Sequence, residues 1–285
     1  MDLVAVIEEA VVNILREAVI RVPDDVKGAL RRAVEEETSD IARTQLETIL
    51  RNLEAAERLS LPLCQDTGVP VFFVSGRVCA EIEEGVHRGV ERATREIPLR
   101  PNAVHPLTRE NPGTNVGGGL PRIVYRPTGE ARTEITVLPK GAGSENMSAL
   151  AMLTPSDGLK GVKRFVLDTV VRAGGRPCPP TIVGVGIGGT ADLAVELAKE
   201  ALLRPLTEDS PDPALRELEA ELHEALNRTG VGPMGLGGRT TVLGVRIGTA
   251  YCHTASLPVA VNLQCWAARR ATACVHPDGR WEVVR

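Results

Sequence analysis

The stretch TIVGVGIGGTADLAVELAKEALL, Thr181 to Leu203, decides the fold class. Its opening residues, Thr181–Val185, are short, apolar and rich in β-branched side chains, the signature of a buried strand. From Thr190 onward the pattern changes. Leu193, Leu197 and Leu202 return at helical spacing, and Thr190 stands where a helix needs a capping hydroxyl. A strand that turns through glycines into a helix is the repeating piece of an α/β protein. The same hexapeptide GVGIGG (184–189) matches G-x-G-x-x-G, in the strand-to-helix context of a dinucleotide site. Such a site needs a second strand ending in an acid about 20 residues further on. Here the helix runs instead into the polar linker RPLTEDSPDP (204–213), so a dinucleotide-dependent oxidoreductase is only a remote alternative. The free N–H groups at the Thr190 helix start still favour a negative charge.

Working outward, the first sixty residues read as three helices. The first spans positions 3–19, the second opens at Pro23-Asp24-Asp25, and the third is capped at Thr38-Ser39-Asp40 and runs to about Leu59. Val69–Ser75 reads as a strand and Ile82–Arg95 as a helix. The segment from Arg100 to Leu120 is a long loop of Pro, Asn and Gly, a kind of loop that usually carries function. Strands follow at 122–126 and 134–138, joined by the turn Pro127-Thr128-Gly129. Next come a second Gly-rich loop, PKGAGSEN (139–146), and a helix opening at Ser156-Asp157. After the linker, a helix at 214–227 leads to a third Gly-rich loop, GVGPMGLGG (230–238). Strands at 240–247 and 257–262 and a closing hairpin at Pro277-Asp278-Gly279 complete the chain. The predicted class is α/β, grading into α+β: a helical N-terminal segment followed by mixed sheets with packed helices. It is read as one domain over 1–285, with two intimately packed lobes at about 1–120 and 121–285.

Composition narrows the function classes. With 285 residues, 43% of them hydrophobic, the chain is long enough to bury a full core. A net charge of -4 leaves no basic footprint for nucleic acid. No apolar run reaches the roughly 18 residues that span a bilayer. The N-terminal segment carries acids inside its apolar pattern, unlike a signal peptide. A soluble, cytoplasmic protein is expected. Six cysteines at wide spacings in such a setting are core filler, nucleophiles or metal ligands, not a disulfide framework.

The cysteines separate by their neighbours. Cys79 and Cys274 sit in apolar surroundings and read as core filler, and Cys252, directly before His253, makes a poor chelating pair with it on a strand. Cys64 lies on a turn ahead of Gln65, Asp66, Thr67 and Gly68. Cys178 is held between prolines in RPCPP, and Cys265 precedes the pair Arg269-Arg270, which favours a thiolate. The intervals between these three match no local metal motif. A non-enzymatic assembly subunit with a structural metal is therefore one further alternative.

Seven segments then carry a resemblance. LCQDTG (63–68), PLRPNAV (98–104), ENPGTN (110–115), PKGAGSEN, CPPTIVGVGIGGTAD (178–192), GPMGLGGRTT (232–241) and HTASLPVAVNLQCWAARR (253–270) occur in family order. Together they resemble the α subunit of the class I, iron–sulfur fumarate hydratases, to which L-tartrate dehydratase α subunits are related. The resemblance implies a 4Fe–4S cluster on three cysteines, at the positions of Cys64, Cys178 and Cys265, with one iron left open as a Lewis acid. It implies that Gln65 touches substrate and that Asp66 is the acid/base at the hydroxyl. Read alone, Asp66 is also the first residue of an Asx-turn before Gly68, a competing reading. The resemblance further implies that Arg100 clamps a carboxylate with its planar fork, that backbone approaches substrate at Gly143, and that His253 transfers or orients a proton. Lys140 and Asn115 are weaker candidates.

Single-chain enzymes of this kind add a C-terminal domain with further catalytic residues. This sequence stops soon after Arg270, which implies an α subunit that works only with a β subunit, in a heterotetramer of two of each, on a small dicarboxylate. Within the family, PKGAGSEN is the fumarase-like form of its loop. The reading therefore favours reversible hydration of fumarate to malate over tartrate dehydration, which stands as the alternative.

Overall fold

A computed structural model describes residues 2–284. Helices α1 (Leu3–Ile20), α2 (Asp24–Glu36) and α3 (Asp40–Leu59) lead to strand β1 (Val69–Gly76) and helix α4 (Ala80–Glu96). Strands β2 (Arg122–Pro127) and β3 (Thr133–Lys140) follow, then the one-turn α5 (Ala142–Glu145), β4 (Ala149–Leu153) and α6 (Gly158–Ala173). The remainder is β5 (Thr181–Gly188), α7 (Ala191–Ala201), α8 (Pro213–Asn227), β6 (Val242–Ala250), β7 (Leu257–Gln264), β8 (Ala271–Val275) and β9 (Trp281–Val284). The α/β class is as read. Among the described residues, no helix is long and apolar enough to cross a membrane.

The elements form two compact units. One comprises Met1–Pro23, Asn52–Ala142 and Arg269–Arg285, the other Asp24–Arg51 and Gly143–Ala268. The first is built on a five-stranded sheet in the order β2-β1-β3-β8-β9. Strands β2 and β3 are consecutive and joined by the turn, as read, but do not pair with each other. β1 lies between them, parallel to β2 and antiparallel to β3. The reason is the crossover from β1 through α4 and the long loop, which returns the chain beside β1 in the same direction. The turn at Thr128 is instead held by its N–H to the Gly76 carbonyl, at 3.1 Å. The helix α1, capped by Asp2 on the Ala5 N–H at 3.3 Å, buries Ile7, Val11, Ile14 and Ala18 in the core of this unit. Its neighbour α4 presents Gly85 and Gly89 where a Cβ would come within 2.6 Å of Ile7 and Val11, so the two helices approach at glycine.

The second unit carries a four-stranded sheet in the order β4-β7-β5-β6. One of its faces meets α6 and α8, through Val162, Val166, Val170, Leu218, Leu222 and Leu226 against Val183, Val185, Val245 and Val261. Across the other face runs α7, where Ala194 and Ala198 meet Ala260. This arrangement accounts for GVGIGG. A Cβ on Gly184 or Gly186 would lie 2.0 Å from the carbonyl oxygen of Ala198 or Ala194, respectively. These glycines let a helix lie directly on the strand. Gly188 and Gly189, at φ of +90° and +71°, then turn the chain into that helix. Strand β4, an edge strand beside β7, has no counterpart in the sequence reading.

Candidate active site

In the first unit, the segment before Cys64 is pinned at both ends of one residue. The Leu63 N–H donates to the Val19 carbonyl and its own carbonyl accepts from Asn52 Nδ2, each at 2.9 Å. Cys64 follows, half-buried and in no disulfide, its thiol 3.5 Å from Gln65 Oε1; Gln65 is exposed. Asp66 makes the Asx-turn, its Oδ1 accepting the Gly68 N–H at 3.0 Å, and it does more than that. Asn102 Nδ2 donates to the same oxygen at 3.3 Å, and the Ala142 N–H donates to Oδ2 at 2.8 Å. Oδ1 therefore has both lone pairs engaged, and Oδ2 keeps one. Gly68, at φ +82°, allows the turn to press on the PKGAG loop, since a Cβ there would sit 2.7 Å from the Pro139 carbonyl carbon.

Two residues that sequence reasoning did not single out as site residues complete this cluster. Arg269 is fully buried and donates from Nη1 to the Asp66 backbone carbonyl at 2.7 Å. A Cβ on Gly141 would lie 3.2 Å from Asp66 Oδ2 and 3.4 Å from Arg269 Nη2, so glycine lets carboxylate and guanidinium close over it. Asn102 is the other; it also donates to the Gly68 carbonyl at 3.1 Å. The signals for both were present, in the RR pair and in PLRPN, but no periodicity marks a buried cation.

The long loop is fastened to the same turn. Buried Asn115 accepts the Asn102 N–H at 2.9 Å and donates to the Arg100 carbonyl and Thr94 Oγ1 at 3.2 Å each. Buried Thr67 accepts the Arg100 N–H at 3.0 Å. Arg100 is thus held by its backbone while its side chain is exposed, as an anion clamp requires. Lys140 is buried at the end of β3, opposite Val69.

In the second unit, Cys178 is half-buried at φ +55°, a strained conformation for a side chain with a Cβ. Its carbonyl accepts the Trp266 N–H at 3.2 Å, which brings the loops of Cys178 and Cys265 together. The GPMGLGG loop buttresses this turn, with the Met234 N–H on the Pro179 carbonyl at 2.8 Å. A Cβ on Gly175 would lie 2.9 Å from the Met234 carbonyl oxygen. Cys265, half-buried just past the end of β7, directs its thiol toward the Ala267 carbonyl at 3.8 Å. Gly143 is exposed, and a Cβ on it would meet the Arg176 carbonyl at 3.1 Å. His253 lies on the exposed turn between β6 and β7, its Nδ1 accepting the Ala255 N–H at 3.1 Å. In the neutral ring that acceptor role places the proton on Nε2. Below α5, Glu145 bridges Lys199 at 2.5 Å and Asn262 at 3.1 Å, and Asn262 also donates to Ser148 Oγ at 2.8 Å.

The donor set itself is a test of an iron–sulfur group. Thiols are its natural ligands, and the structure brings Cys178 and Cys265 to adjoining backbone. Beside each lies a buried polar side chain with unpartnered atoms: Thr181 Oγ1, three residues past Cys178, and both Gln264 Oε1 and Nε2, directly before Cys265. Buried polar atoms usually have partners, so this end of the sheet fits a further polar group. Among the described residues there is no group of three or more His, Cys, Asp or Glu side chains placed to hold a metal ion.

The chain matches the family model described as fumarate hydratase (fumerase) over residues 8–274. A chain from Methanocaldococcus jannaschii, provisionally named an L(+)-tartrate dehydratase subunit alpha, is 52% identical over 283 residues, 96% of this chain and 99% of that one. The L(+)-tartrate dehydratase subunit alpha of Escherichia coli K12 is 38% identical, covering 96% of this chain and 92% of its own length.

Proposed function

The chain belongs to the fumarate hydratase family, and on that premise we propose that it is the α subunit of an L(+)-tartrate dehydratase, a hydro-lyase that converts tartrate to oxaloacetate. The observation that carries this reading is the 52% identity, nearly end to end, to a relative of that name. It outweighs PKGAGSEN, the feature that favours fumarate, because one loop speaks for eight residues and the alignment for 283. Fumarate hydration stands as the second reading on that loop alone. The two reactions share their demands: a clamp for a dianion, a proton for the departing hydroxyl, and a base for the adjacent C–H.

Cys64, Cys178 and Cys265 would hold a 4Fe–4S cluster, which when bound supplies a Lewis-acid iron for the substrate carboxylate and hydroxyl. The protein's own residues do the rest. Asp66 exchanges its proton at Oδ2, the oxygen that keeps a lone pair; its three accepted hydrogen bonds hold that atom in place. Gln65 offers an exposed amide, and Arg100 an exposed fork, to the substrate carboxylates. His253 donates from Nε2 or orients a hydroxyl. At Gly143 the missing Cβ allows close backbone approach. Loss of water breaks a C–O bond and sends the neighbouring C–H proton to a base. The resulting enol becomes the 2-oxo acid by protonation at carbon. A β subunit completes the set of groups, in keeping with relatives named as alpha subunits.

The test is a steady-state assay of the chain with its β subunit, under nitrogen after anaerobic iron and sulfide loading. The substrates are L-tartrate, malate and fumarate. The expected result is kcat/KM for L-tartrate at least about tenfold above that for malate, the discrimination one well-placed polar contact provides. A preference for malate and fumarate would return the assignment to fumarase, and full activity without the β subunit would remove the two-subunit reading.

A further inference from the structure

We infer that Gln264 is a further residue of the cofactor shell, its carboxamide N–H donating to sulfur of the cluster assigned to Cys178 and Cys265. This inference rests on the iron–sulfur reading above and deepens it. Gln264 ends β7, in register with Ile182 of β5, and is 2% exposed. Both its Nε2 and its Oε1 lack a hydrogen-bond partner among the described residues. An amide carries two donors and two acceptor lone pairs, so a site that matches none of them is a poor place for it unless another polar group arrives. Asn262, two residues earlier on the same side of the strand, is half matched: its amide nitrogen has two partners, on Glu145 and Ser148, while its Oδ1 has none among the described residues.

The location indicates what arrives. Cys265 is the next residue, past the strand end, and the Trp266 N–H bonded to the Cys178 carbonyl sets the second cysteine loop alongside. Thr181, on the neighbouring strand and three residues past Cys178, is 1% exposed and carries another unpartnered hydroxyl. Two cysteines and the orphaned Gln264 thus share one end of the sheet; Thr181, one residue before the Ile182 that pairs with Gln264, stands on the opposite face and is not part of this group. Thiolate and sulfide sulfur accept N–H hydrogen bonds, and such donors both retain a cluster and raise its potential. A purely structural amide would instead be matched by protein groups in the empty chain.

The experiment compares wild type with Gln264→Leu, each loaded anaerobically with iron and sulfide in the presence of the β subunit. It reads the Tm of the cluster-free form, the rate of cluster bleaching in air and the midpoint potential. The expected result is an unchanged or higher Tm without cluster, bleaching about fivefold faster, the factor one lost hydrogen bond represents, and a lower potential. Unchanged bleaching and potential would overturn the inference, as would a cluster-free Tm that falls in Gln264→Leu, because the amide would then serve the protein alone. Gln264→Met, unbranched and of similar length, repeats the measurement if leucine fails to fold for reasons of shape; failure of both overturns the inference too. If wild type itself binds no iron or sulfide, the cofactor reading falls and this inference with it, a result distinct from a wild-type cluster that is indifferent to Gln264.

Discussion

The turn at Asp66 and the strand end at Gln264 each place a polar side chain within two residues of a cysteine, yet they are finished differently. The Asp66 carboxylate accepts three hydrogen bonds, from Gly68, Asn102 and Ala142, and its backbone carbonyl accepts a fourth from Arg269. The Gln264 side-chain amide accepts and donates none among the described residues. A carboxylate so supported keeps one geometry with or without a ligand, whereas an unpartnered amide records a group still to be bound. The first region is preorganised by the chain, while the second, on the inference drawn above, is completed by what the chain receives. That difference predicts that mutations in the two regions separate stability from activity in opposite ways.

The largest effect should come from the cysteines. Cys265→Ser with the β subunit present is expected to abolish turnover and iron retention while leaving the Tm of the cluster-free chain unchanged, since the Cys265 thiol makes only a weak contact to the Ala267 carbonyl at 3.8 Å. Iron analysis and thermal melts of the same preparation check both halves. Wild-type levels of activity and iron in the variant would remove Cys265 from the ligand set.

Next in size, Asp66→Asn should lose about 10³-fold in kcat, the range a positioned acid/base supplies. Unlike the cysteine change, it should also lower the stability of the cluster-free chain, by about 1–3 kcal/mol. The amide nitrogen can no longer accept one of the N–H groups now served by the carboxylate, whichever way it is turned. Urea unfolding alongside single-turnover assays separates the two losses. A stability loss with full activity would make Asp66 an anchor of the turn and nothing more, the role the Asx-turn alone assigns it.

How far this contrast was visible beforehand follows from what kind of information each part needs. The helices and most strands declare themselves through local spacing, as Leu193 and Leu197 do in α7. Turn residues are legible for the same reason: Gly68 follows an Asp at Asx spacing and has the positive φ expected of it. What local patterns lack is partnership. Nothing near residues 122–140 says that β1 inserts between β2 and β3, because that pairing is set by a crossover begun fifty residues earlier. Likewise GVGIGG reads as a cofactor loop until α7 is seen lying on Gly184 and Gly186. Arg269 reads in the sequence as half of an Arg pair that favours the Cys265 thiolate, and its burial beneath Asp66 depends on residues two hundred positions away. The unpartnered state of Gln264 was invisible for a deeper reason: an absent bond leaves no trace in a sequence.

The smallest predicted effect tests whether full satisfaction marks the function of a group or merely its burial. Glu37, in the second unit, is 1% exposed and as well supported as Asp66. Its Oε1 accepts the N–H groups of Thr38 and Ser39 at 2.9 and 3.0 Å, and its Oε2 that of Arg239 at 2.8 Å. Burial pushes its pKa up, but the backbone hydrogen bonds from Ser39, Arg239, Thr38 and Thr240 outweigh burial and leave it below the ordinary value. A carboxyl whose folded pKa is depressed stabilises the fold above the unfolded pKa, and that contribution disappears as pH falls through the folded value. Glu37→Gln should therefore cost about 1–3 kcal/mol near neutral pH, where a side-chain NH₂ must face an N–H. The gap between variant and wild type should narrow on acidification below about pH 4, as the wild-type carboxyl takes up its own proton. Urea midpoints across that range measure it, and a gap constant with pH would show that Glu37 contributes shape and not charge. Activity per folded molecule should stay at the wild-type level throughout, because Glu37 serves to tie the turn between α2 and α3 to the Arg239 N–H. Asp66 is supported in the same way, by three N–H groups on two oxygens, so what sets it apart is its place, two residues after Cys64 and directly after the exposed Gln65.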